Sequence, residues 1–578
     1  MKQGIYRWIE PVRVDEKLRE SLSKDLGISS VLTEILMRRG YVDARGIRDF
    51  IYPHQSSMND PFLMRGMDAA SDRLLKAVRG NEAVLIHGDY DVDGLTSVAL
   101  LEKVLVRLGL RVHHYIPNRL SEGYGVSAEG IRRAKEVGAA LIVTVDCGIV
   151  AYDEINLARS MNLDVIVTDH HEPGPVLPDA VAVLNPKQSD CPYPDKELAG
   201  IGVAFKLCQA LYQNLGRDEE ELNDLLDMVA LGTIADVAPM VGENRVLVSR
   251  GLEVLHTNPN AALRALLRTS GLSGKHLTAG HVAFSLAPRI NAVGRMGDSQ
   301  EVVEFLTTDK PREAERMAAI LEQENRKRQR IDSKVLVEAR EKLADFNPDE
   351  EWAVVLTSHG WHQGVLGIVA SRLVEQYYRP VVLVTLDEDG IGRGSARSIP
   401  SFHLYDALRA CADHLIEYGG HQHAAGIKIR QEDVEEFRKQ LNLQAKKALT
   451  PSSLQRELRI DAEVSMDEVN RDLYHEMKLT APNGPSNPRP LLLMRGVKID
   501  GYPRNVGEGH LKMKVRGKGR TLDAIGFGLG ELAEELSLSN EPLDMVFSVE
   551  ENTWKGITSL QAKVKDIRIG YADKNNSR

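Results

Sequence analysis

The fold is decided by residues 83–94, which read AVLIHGDYDVDG. Four apolar residues at 83–86 form a short continuous run, and a turn rich in aspartate and glycine follows at once. Two further runs of this kind are LIVTV at 141–145 and VIVT at 165–168. Such runs, separated by helical stretches, are typical of strands in a parallel sheet covered by helices on both faces. Residues from about 81 to 240 are therefore predicted to form an α/β domain.

Acidic and imidazole side chains follow all three predicted strands. They are His87, Asp89, Asp91 and Asp93 after the first strand, Asp146 after the second, and Asp169, His170 and His171 after the third. Open parallel sheets bind ligands beyond the carboxyl ends of their strands. Because three strands deliver such residues to one edge, we predict a site there. Asp236, after a helical stretch at 225–231, offers one more acid, and Asp227 is a weaker candidate.

The stretch DYDVDG at 89–94 matches the opening of an EF-hand calcium loop. The twelfth loop position should be a bidentate glutamate but is Leu100, and a strand precedes the loop, so this interpretation is excluded. Mixed carboxylate and imidazole ligands suit Mn²⁺ and, less selectively, Mg²⁺. Asp91 and Asp93 project from one turn, Asp146 could bridge two ions, and His170 adds an imidazole. Two such ions activate water and stabilise both oxygens of an in-line phosphoryl displacement.

The alternative is that these residues only cap helices and form turns, since aspartate favours both positions. That interpretation explains any one of the three motifs. It does not explain why all three lie at the ends of strands in one predicted sheet. A catalytic metal site is therefore the favoured hypothesis.

Composition limits the class of protein. The chain has 578 residues, of which 43% are hydrophobic and 27% charged, so we expect roughly three to four folded domains. No apolar run approaches the roughly 18 residues of a membrane span, and four cysteines are too few for a disulfide framework. A cytosolic location is expected. The net charge of −10 does not exclude nucleic acid, because metal-binding carboxylates contribute to it.

The second half of the chain changes character. From Pro311 to about residue 346 there is no glycine and no further proline, which predicts one long connecting helix of roughly 50 Å. Runs AVVLT at 353–357 and VVLVT at 381–385 predict strands of a second α/β unit. Residues 491–570 are typical of short strands with glycine turns, and they predict a small β-barrel.

Basic residues alternate at Lys512, Lys514 and Arg516 in the predicted barrel. This spacing places the three charges on one face of a strand, where they would form a track for single-stranded nucleic acid. The alternative is an edge strand guarded by lysines against aggregation. Aromatic residues are sparse here, so binding would depend mainly on phosphates and would fall steeply with salt.

Several motifs together carry a resemblance to a known family. DYDVDG at 89–94, DHH at 169–171 and GGHQHAAG at 419–426 resemble the DHH phosphoesterase superfamily. PNR at 117–119, LGTIADV at 231–237, RINAVGRM at 289–296 and WHQGVLGIVASR at 361–372 are similar to the RecJ exonuclease family within it. The resemblance extends from about residue 50 to the predicted barrel.

The resemblance implies roles for individual residues. It implies metal ligands at His87, Asp91, Asp93, Asp146, His170 and Asp236, of which the first position varies in the family. His171 would act near the leaving group, with Asp169 and Asp89 orienting their neighbours. The implied pocket for a 5′-phosphate contains Arg119, Arg289, Ser395 and Arg397, and His421 could contact a phosphate. Arginine suits this role because its planar fork matches a phosphate.

The expected architecture is α/β and multidomain, with a parallel-sheet DHH domain, a long helix, a smaller α/β domain and an OB-type barrel. The predicted segments are an N-terminal stretch 1–50, the DHH domain 51–308, the helix 309–346, the DHH-associated domain 347–450 and the OB-type domain 451–578.

The expected function is two-metal, 5′→3′ exonuclease action on single-stranded DNA that releases mononucleotides. The resemblance implies roles in DNA recombination and repair, single-stranded DNA-binding protein and a helicase as partners, and a bacterial, nucleoid-associated location. A monomer is expected, with no membrane. The alternatives are a phosphodiesterase of short oligoribonucleotides or cyclic dinucleotides, and a non-catalytic strand-binding replisome scaffold.

Overall fold

The computed structural model describes residues 6–53, 58–118, 122–123, 125–296 and 299–570. The chain divides into two compact units. The parallel-sheet unit comprises Pro53–Gln329 and Pro482–Pro488, and the composite unit comprises Met1–Tyr52, Arg330–Ala481 and Arg489–Arg578. Within the described residues, no helix combines the length and apolar character needed to cross a membrane.

The N-terminal stretch is part of the composite unit. Its elements are β1 (Arg7–Ile9), α1 (Glu16–Leu26), α2 (Ser30–Arg38) and α3 (Ala44–Ile51). Ser29 caps α2 by accepting a hydrogen bond from the amide of Leu32, and its own amide donates to Glu476 at 2.8 Å. Val31 and Ile35 of α2 pack into the core of the C-terminal barrel. The stretch therefore supports the barrel.

The parallel-sheet unit contains five parallel strands in the order β3-β2-β4-β5-β6. They are β2 (Ala83–Gly88), β3 (Arg111–Tyr115), β4 (Ala139–Val145), β5 (Asp164–Thr168) and β6 (Ala182–Leu184). The three predicted strands are β2, β4 and β5, and all three are buried. β3 lies on one side of β2, and β4 lies on the other side. The strand order therefore reverses between β2 and β4. Ligands of open α/β sheets bind at such a point.

Helices cover both faces of this sheet. Those of the unit are α4 (Met67–Gly80), α5 (Val92–Arg107), α6 (Ala128–Glu136), α7 (Tyr152–Ser160), α8 (Gly200–Asn214), α9 (Leu226–Ala235), α10 (Gly242–Thr257), α11 (Ala261–Thr269), α12 (Ala279–His281), α13 (Ala287–Met296) and α14 (Gln300–Thr307). Short 3₁₀ turns at Pro61–Leu63 and Glu219–Leu225 and a π-helical turn at Val282–Leu286 complete it.

A buried ion pair crosses the helical layer. Lys206 of α8 and Glu243 of α10 are 0% and 2% exposed, and their charged atoms lie 2.6 Å apart. The ammonium of Lys206 also donates to the carbonyl oxygen of Asn59 at 2.8 Å, and Glu243 accepts from the amide of Asn59 at 2.9 Å. The hydroxyl of Tyr193 donates to Glu243 as well. We call this cluster the Lys206 network. It links Asn59, near the start of the unit, to α8 and α10.

The long helix is confirmed as α15 (Pro311–Lys342). The boundary between the two units falls within it, between Gln329 and Arg330. Its second half packs through Val335 and Ala339 on the second sheet of the chain, as does Leu343 directly after the helix.

That sheet has five strands in the order β10-β11-β9-β8-β7, and only β7 and β8 are parallel. The strands are β7 (Val354–His359), β8 (Val381–Leu386), β9 (Ile391–Arg397), β10 (Glu417–Gly420) and β11 (Ala424–Arg430). The helices are α16 (Gln363–Tyr377), α17 (Leu404–Ala410) and α18 (Val434–Ala448), with 3₁₀ turns at Ala412–His414 and Gln431–Asp433. The two strands predicted here, β7 and β8, are present.

The C-terminal part closes into a barrel. Its elements are β12 (Glu457–Arg459), β13 (Ala462–Glu463), α19 (Arg471–Lys478), β14 (Leu492–Ile499), β15 (Arg504–Val506), β16 (His510–Gly517), β17 (Arg520–Gly526), α20 (Leu532–Leu538), β18 (Leu543–Trp554) and β19 (Ile557–Ile569). The order β14-β18-β19-β17-β16 is closed by pairing of β16 with β14. A closed five-stranded barrel is the OB-type architecture, so the predicted fold class is confirmed.

Candidate metal centre and nucleic-acid contacts

The candidate metal centre lies at the carboxyl ends of β2, β4 and β5, where the strand order reverses. Asp91 is the N-cap of α5, and its Oδ1 accepts a hydrogen bond from the amide of Gly94 at 3.1 Å. Asp93 lies in the first turn of the same helix. Its two carboxylate oxygens accept from the amides of Gly200 and Ile201, at 2.7 and 2.8 Å. The starts of α5 and α8 therefore fix the Asp93 carboxylate.

Asp146 follows β4 with a backbone φ of 60°. The left-handed region is uncommon for a residue other than glycine, and such strained positions cluster at functional sites. The start of α8 passes very close to this residue: a Cβ atom at Gly200 would lie 2.5 Å from Oδ1 of Asp146. Glycine at position 200 thus allows the helix to approach the carboxylate, which is 2% exposed.

Three groups of side chains each bring ligand atoms within 4.8 Å of one another. They are Asp89, Asp91 and Asp146; Asp146, His170 and His171; and Asp93, His170 and Asp236. Asp146 and His170 each belong to two groups. This overlap is the arrangement expected for neighbouring metal ions that share a carboxylate.

The electrostatics of the cluster favour a cation. Burial, with Asp91 nearby, raises the pKa of Asp93 to about 7. Burial, with Asp93 and Asp91, raises the pKa of Asp236 to about 8. Burial and the neighbouring aspartates also raise the pKa of Asp146 well above its usual range. These carboxylates repel one another in a region of little solvent, and a divalent ion would relieve that repulsion.

His170 supplies a nitrogen ligand. Burial lowers the pKa of His170 to about 3, so its ring is neutral. Its Nε2 lies 3.1 Å from Oδ1 of Asp146 and 3.8 Å from Oδ2 of Asp236. This nitrogen is buried and makes no hydrogen bond with another described residue. A buried, neutral imidazole nitrogen among carboxylates fits Mn²⁺ or Mg²⁺.

Asp169 orients the histidine pair. Its Oδ1 lies 2.8 Å from Nδ1 of His171 and accepts from the amide of His170 at 2.7 Å, while its Oδ2 accepts from the amide of Ile149 at 2.9 Å. Burial opposes protonation of His171, but the Asp169 carboxylate raises the pKa of His171 to about 9. Nδ1 of His171 therefore faces Asp169, and Nε2 lies on the opposite edge of the ring.

Three family models match separate parts of the chain. The "DHH family, N-terminal domain" model matches residues 83–233, the "DHHA1 domain" model 350–447 and the "RecJ OB domain" model 460–566. The single-stranded-DNA-specific exonuclease RecJ of Bacillus subtilis (strain 168) is 39% identical over 566 residues, which cover 97% of this chain and 71% of that protein. The chain belongs to the RecJ family.

Two solved RecJ structures from Thermus thermophilus are similar over 98% of this chain. The structure in complex with Mn²⁺ has a TM-score of 0.84 at 31% identity and is covered to 80%. The structure in complex with Mg²⁺ has a TM-score of 0.79 at 30% identity and is covered to 79%. The resemblance inferred from the sequence motifs is thus confirmed at the level of the RecJ family.

The structure also shows the surroundings of two further predicted residues, His87 and Asp89. His87 belongs to none of the three ligand groups among the described residues; its Nε2 accepts a hydrogen bond from the amide of Ser127 at 3.2 Å. Burial lowers the pKa of His87 to about 4. Its role as a ligand stays a prediction. Asp89, predicted to orient its neighbours, lies with Asp91 and Asp146 in one of the ligand groups, and its orienting role stays a prediction.

Residues predicted to bind the terminal phosphate lie in both units. Arg119 falls outside the described residues. In the parallel-sheet unit, Nε of Arg289 lies 2.6 Å from Oε2 of Glu322. In the composite unit, Ser395 and Arg397 lie on β9, where Nη1 of Arg397 donates to Oγ of Ser395 at 3.1 Å. His421 is exposed in the turn between β10 and β11.

The predicted basic residues of the OB barrel share one exposed face. Lys512, Lys514 and Arg516 alternate on β16 with buried Leu511, Met513 and Val515, and we call them the basic stripe. Two further cations neighbour the stripe, Arg504 opposite Lys512 and Lys498 opposite Arg516. Their positions beside the stripe follow from the pairing of β16 with β15 and with β14, which the residues of β16 alone do not show.

One site contribution was missed because it depends on tertiary structure. The amides of Gly200 and Ile201 hold Asp93 from more than a hundred residues away. The glycine at position 200 was the available signal, but a single glycine has many explanations. Asp227, the weaker candidate acid, is fully buried and accepts from the amides of Met228 and Asn260 at 2.7 and 2.9 Å. It belongs to none of the ligand groups of the described residues.

Proposed function

We propose that the protein is a metal-dependent exonuclease that degrades single-stranded DNA from the 5′ end and releases mononucleotides. The observation that carries the proposal is the set of three ligand groups that overlap at Asp146 and His170, at the point where the strand order reverses. Membership of the RecJ family, whose curated relatives are named single-stranded-DNA-specific exonucleases, supports the substrate class.

Mn²⁺ or Mg²⁺ would be held by the predicted ligands, which are Asp91, Asp93, Asp146, His170 and Asp236, with His87 as the sixth candidate and Asp89 added by its position. When bound, two such ions supply an activated water and neutralise charge on the attacking and leaving oxygens. Crystal structures of the Thermus thermophilus RecJ with Mn²⁺ and with Mg²⁺ support this choice of metals.

The protein's own side chains position the reacting groups. The amides of Gly200 and Ile201 keep Asp93 in one orientation, so the ligand set does not reorganise when substrate arrives. Asp169 holds Nδ1 of His171 at 2.8 Å and so directs Nε2 away from itself. We assign to that Nε2 a hydrogen bond to the phosphate or to the leaving 3′-oxygen, which stabilises charge that develops there.

A terminal phosphate distinguishes the end of a strand from its interior. Ser395 and Arg397, with His421, Arg289 and Arg119, are proposed to bind it. Arginine offers paired N–H groups in a geometry that matches phosphate oxygens. Arg289 is ion-paired with Glu322, so binding of a phosphate there must compete with that carboxylate. Recognition of the terminal phosphate would give the enzyme its 5′ polarity.

The basic stripe of the OB barrel is proposed to hold the strand behind the reacting end. Lys512, Lys514 and Arg516 all point from the same exposed face of β16. Phe527 is 52% exposed on the neighbouring segment, with Nζ of Lys563 5.0 Å from its ring centroid and His510 packed edge-on at 4.9 Å. Cations beside an exposed aromatic ring suit a single strand, whose phosphates and bases need different partners.

We further propose the cellular setting that the resemblance implied. The enzyme would act as a monomer in the bacterial cytoplasm, associated with the nucleoid, in DNA recombination and repair. Single-stranded DNA-binding protein and a helicase would supply its substrate. The predicted five-part domain organisation is proposed with the same boundaries.

A substrate panel tests the proposed function. The wild type and Asp91→Ala would be incubated with Mn²⁺ and, separately, with single-stranded DNA, blunt duplex DNA, a short oligoribonucleotide and a cyclic dinucleotide. We expect rapid degradation of the single strand alone, and none by Asp91→Ala. Cleavage confined to the short ribonucleotide or cyclic substrates would instead indicate a small-substrate phosphodiesterase. Tight strand binding without any cleavage would indicate a scaffold.

A further inference from the structure

A cavity of about 330 Å³ opens on the second sheet, outside the residues assigned above. Helix α16 packs closely on one part of this sheet face. A Cβ atom at Gly367 of α16 would lie only 2.6 Å from Nη2 of Arg397 on β9. The cavity lies beside the start of α16, over β9, β11 and β10. Its walls and floor include Gln363, Arg393, Glu417, Gly419, Gly426 and Lys428. A volume of this size is at the lower end of small-ligand sites.

Two cations, Arg393 and Lys428, line the cavity together with one carboxylate, Glu417. Arg393 on β9 lies directly opposite Lys428 on β11. Like charges directly opposite each other destabilise a sheet. Neither side chain makes an ion pair or hydrogen bond with another described residue, although Glu417 lies opposite Lys428 on β10. The repulsion between these two cations destabilises the sheet in the isolated protein, and a bound anion would relieve it.

The floor of the cavity consists of glycines that the fold does not require. Gly426 lies opposite Ser395 on one side and Gly419 on the other, so the three form one row across the sheet. A Cβ atom at Gly419 would meet nothing within 4 Å, and one at Gly426 only the carbonyl oxygen of Gly394 at 4.0 Å. Neither residue has a positive φ. Glycine inside a strand weakens it and often marks close approach of a ligand.

The cavity is separate from the proposed contacts with the terminal phosphate. Ser395 and Arg397 do not line it. Arg393 precedes Ser395 by two residues on the same face of β9, a distance of about 7 Å along the strand. That distance exceeds the roughly 3.4 Å rise per nucleotide of a stacked strand, and it leaves room for an unstacked nucleotide.

We propose that this cavity is a nucleotide-phosphate subsite, in which Arg393 and Lys428 bind a phosphate while the floor of Gly419 and Gly426 receives the attached sugar. The proposal rests on the proposed exonuclease function and adds a second phosphate position to it. The phosphate can come from two sources, the DNA strand itself or the mononucleotide after release. Both present the same chemistry, an anionic phosphate ester joined to a deoxyribose.

The experiment compares four variants with the wild type, of which one, Glu417→Gln, removes the negative charge opposite Lys428. Gly426→Val fills the floor with a side chain that a strand accepts, and the double variant Arg393→Gln/Lys428→Gln removes both cations. Arg430→Gln is the matched control, because Arg430 is an exposed cation on the same strand that does not line the cavity. Binding of a 3′-fluorescein, 5′-phosphorylated oligothymidylate would be measured by anisotropy in EDTA. Inhibition of hydrolysis by added thymidine monophosphate would be measured separately.

If the strand occupies the subsite, both cavity variants should bind the oligothymidylate roughly tenfold more weakly, as expected for loss of a charge-assisted contact. The double variant should also lower the slope of log affinity against log salt by about 0.7. If the released nucleotide occupies it, oligothymidylate binding should stay unchanged and inhibition by thymidine monophosphate should weaken by a similar factor. Arg430→Gln should change neither quantity.

The subsite is overturned if both cavity variants match Arg430→Gln in both measurements. It is also overturned if Glu417→Gln weakens binding as much as loss of the two cations, because removal of an adjacent negative charge should leave phosphate binding equal or tighter. Failure of the proposed function gives a different result: the wild type itself would not release nucleotides from the 5′ end.

Discussion

Replacement of Asp236 by asparagine should change the free energy of unfolding in opposite directions without and with Mn²⁺. In the metal-free protein, burial together with Asp93 and Asp91 raises the pKa of Asp236 to about 8 from its ordinary 3.8. At pH 7 the folded protein therefore keeps a proton that the unfolded chain has released. At about 1.36 kcal/mol per pH unit this amounts to a cost of up to about 4 kcal/mol, which asparagine does not incur.

The dependence on pH follows from the sign of the shift. A carboxyl group with a raised pKa in the folded state contributes most to stability below pH 3.8, and that contribution is lost as the pH rises to about 8. The advantage of Asp236→Asn in EDTA should therefore grow from pH 4 to pH 8. With saturating Mn²⁺ the wild type gains stability from a full set of ligands, and the variant gains less.

Urea unfolding in EDTA and in Mn²⁺ would measure both effects. Asp227→Asn is the control, because Asp227 is a buried aspartate of α9, the helix whose C-cap is Asp236, but lies in none of the ligand groups of the described residues. Its effect on stability should be the same in both buffers. The reasoning would be refuted if Asp236→Asn destabilised the protein equally with and without Mn²⁺.

Three further outcomes are expected. Lys206→Met leaves Glu243 buried without its partner and should lower the free energy of unfolding by about 3–5 kcal/mol. Arg268→Met, in an exposed ion pair, should lower it by less than about 1 kcal/mol. Urea unfolding of the two variants measures both values. Asp169→Asn should lower kcat by about 10²–10⁴-fold while strand affinity stays unchanged, as measured by steady-state hydrolysis and anisotropy. Lys514→Gln should lower the salt slope of strand binding by about 0.7 in a salt titration.

The strands that could be predicted from the sequence are those whose burial produces a continuous run of apolar residues. β2, β4 and β5 are buried on both faces, so their residues form continuous apolar runs. β3 lies at the sheet edge, where its polar residues RVHHY hide the pattern, and β6 has only three residues. The long helix was predictable because glycine and proline are absent after Pro311.

The candidate site divides in the same way. The ligand types were predictable because they follow the strands directly in sequence. The hold of α8 on Asp93 and the close approach of Gly200 to Asp146 were not, because they depend on how distant segments pack. The row formed by Ser395, Gly426 and Gly419 likewise exists only through strand register. The role of the N-terminal stretch also emerged from packing, since α2 contributes to the barrel core.

The most direct test of the central claim is the position of the first cut in single-stranded DNA. A 5′-phosphorylated strand, labelled at one end or the other, would be followed during the first turnovers in Mn²⁺ with the wild type and with Asp91→Ala. We expect immediate release of the 5′-terminal label as a mononucleotide, with the 3′ label retained in a long product, and no release by the variant. Release of the 3′ label first, or undiminished activity of Asp91→Ala, would contradict it.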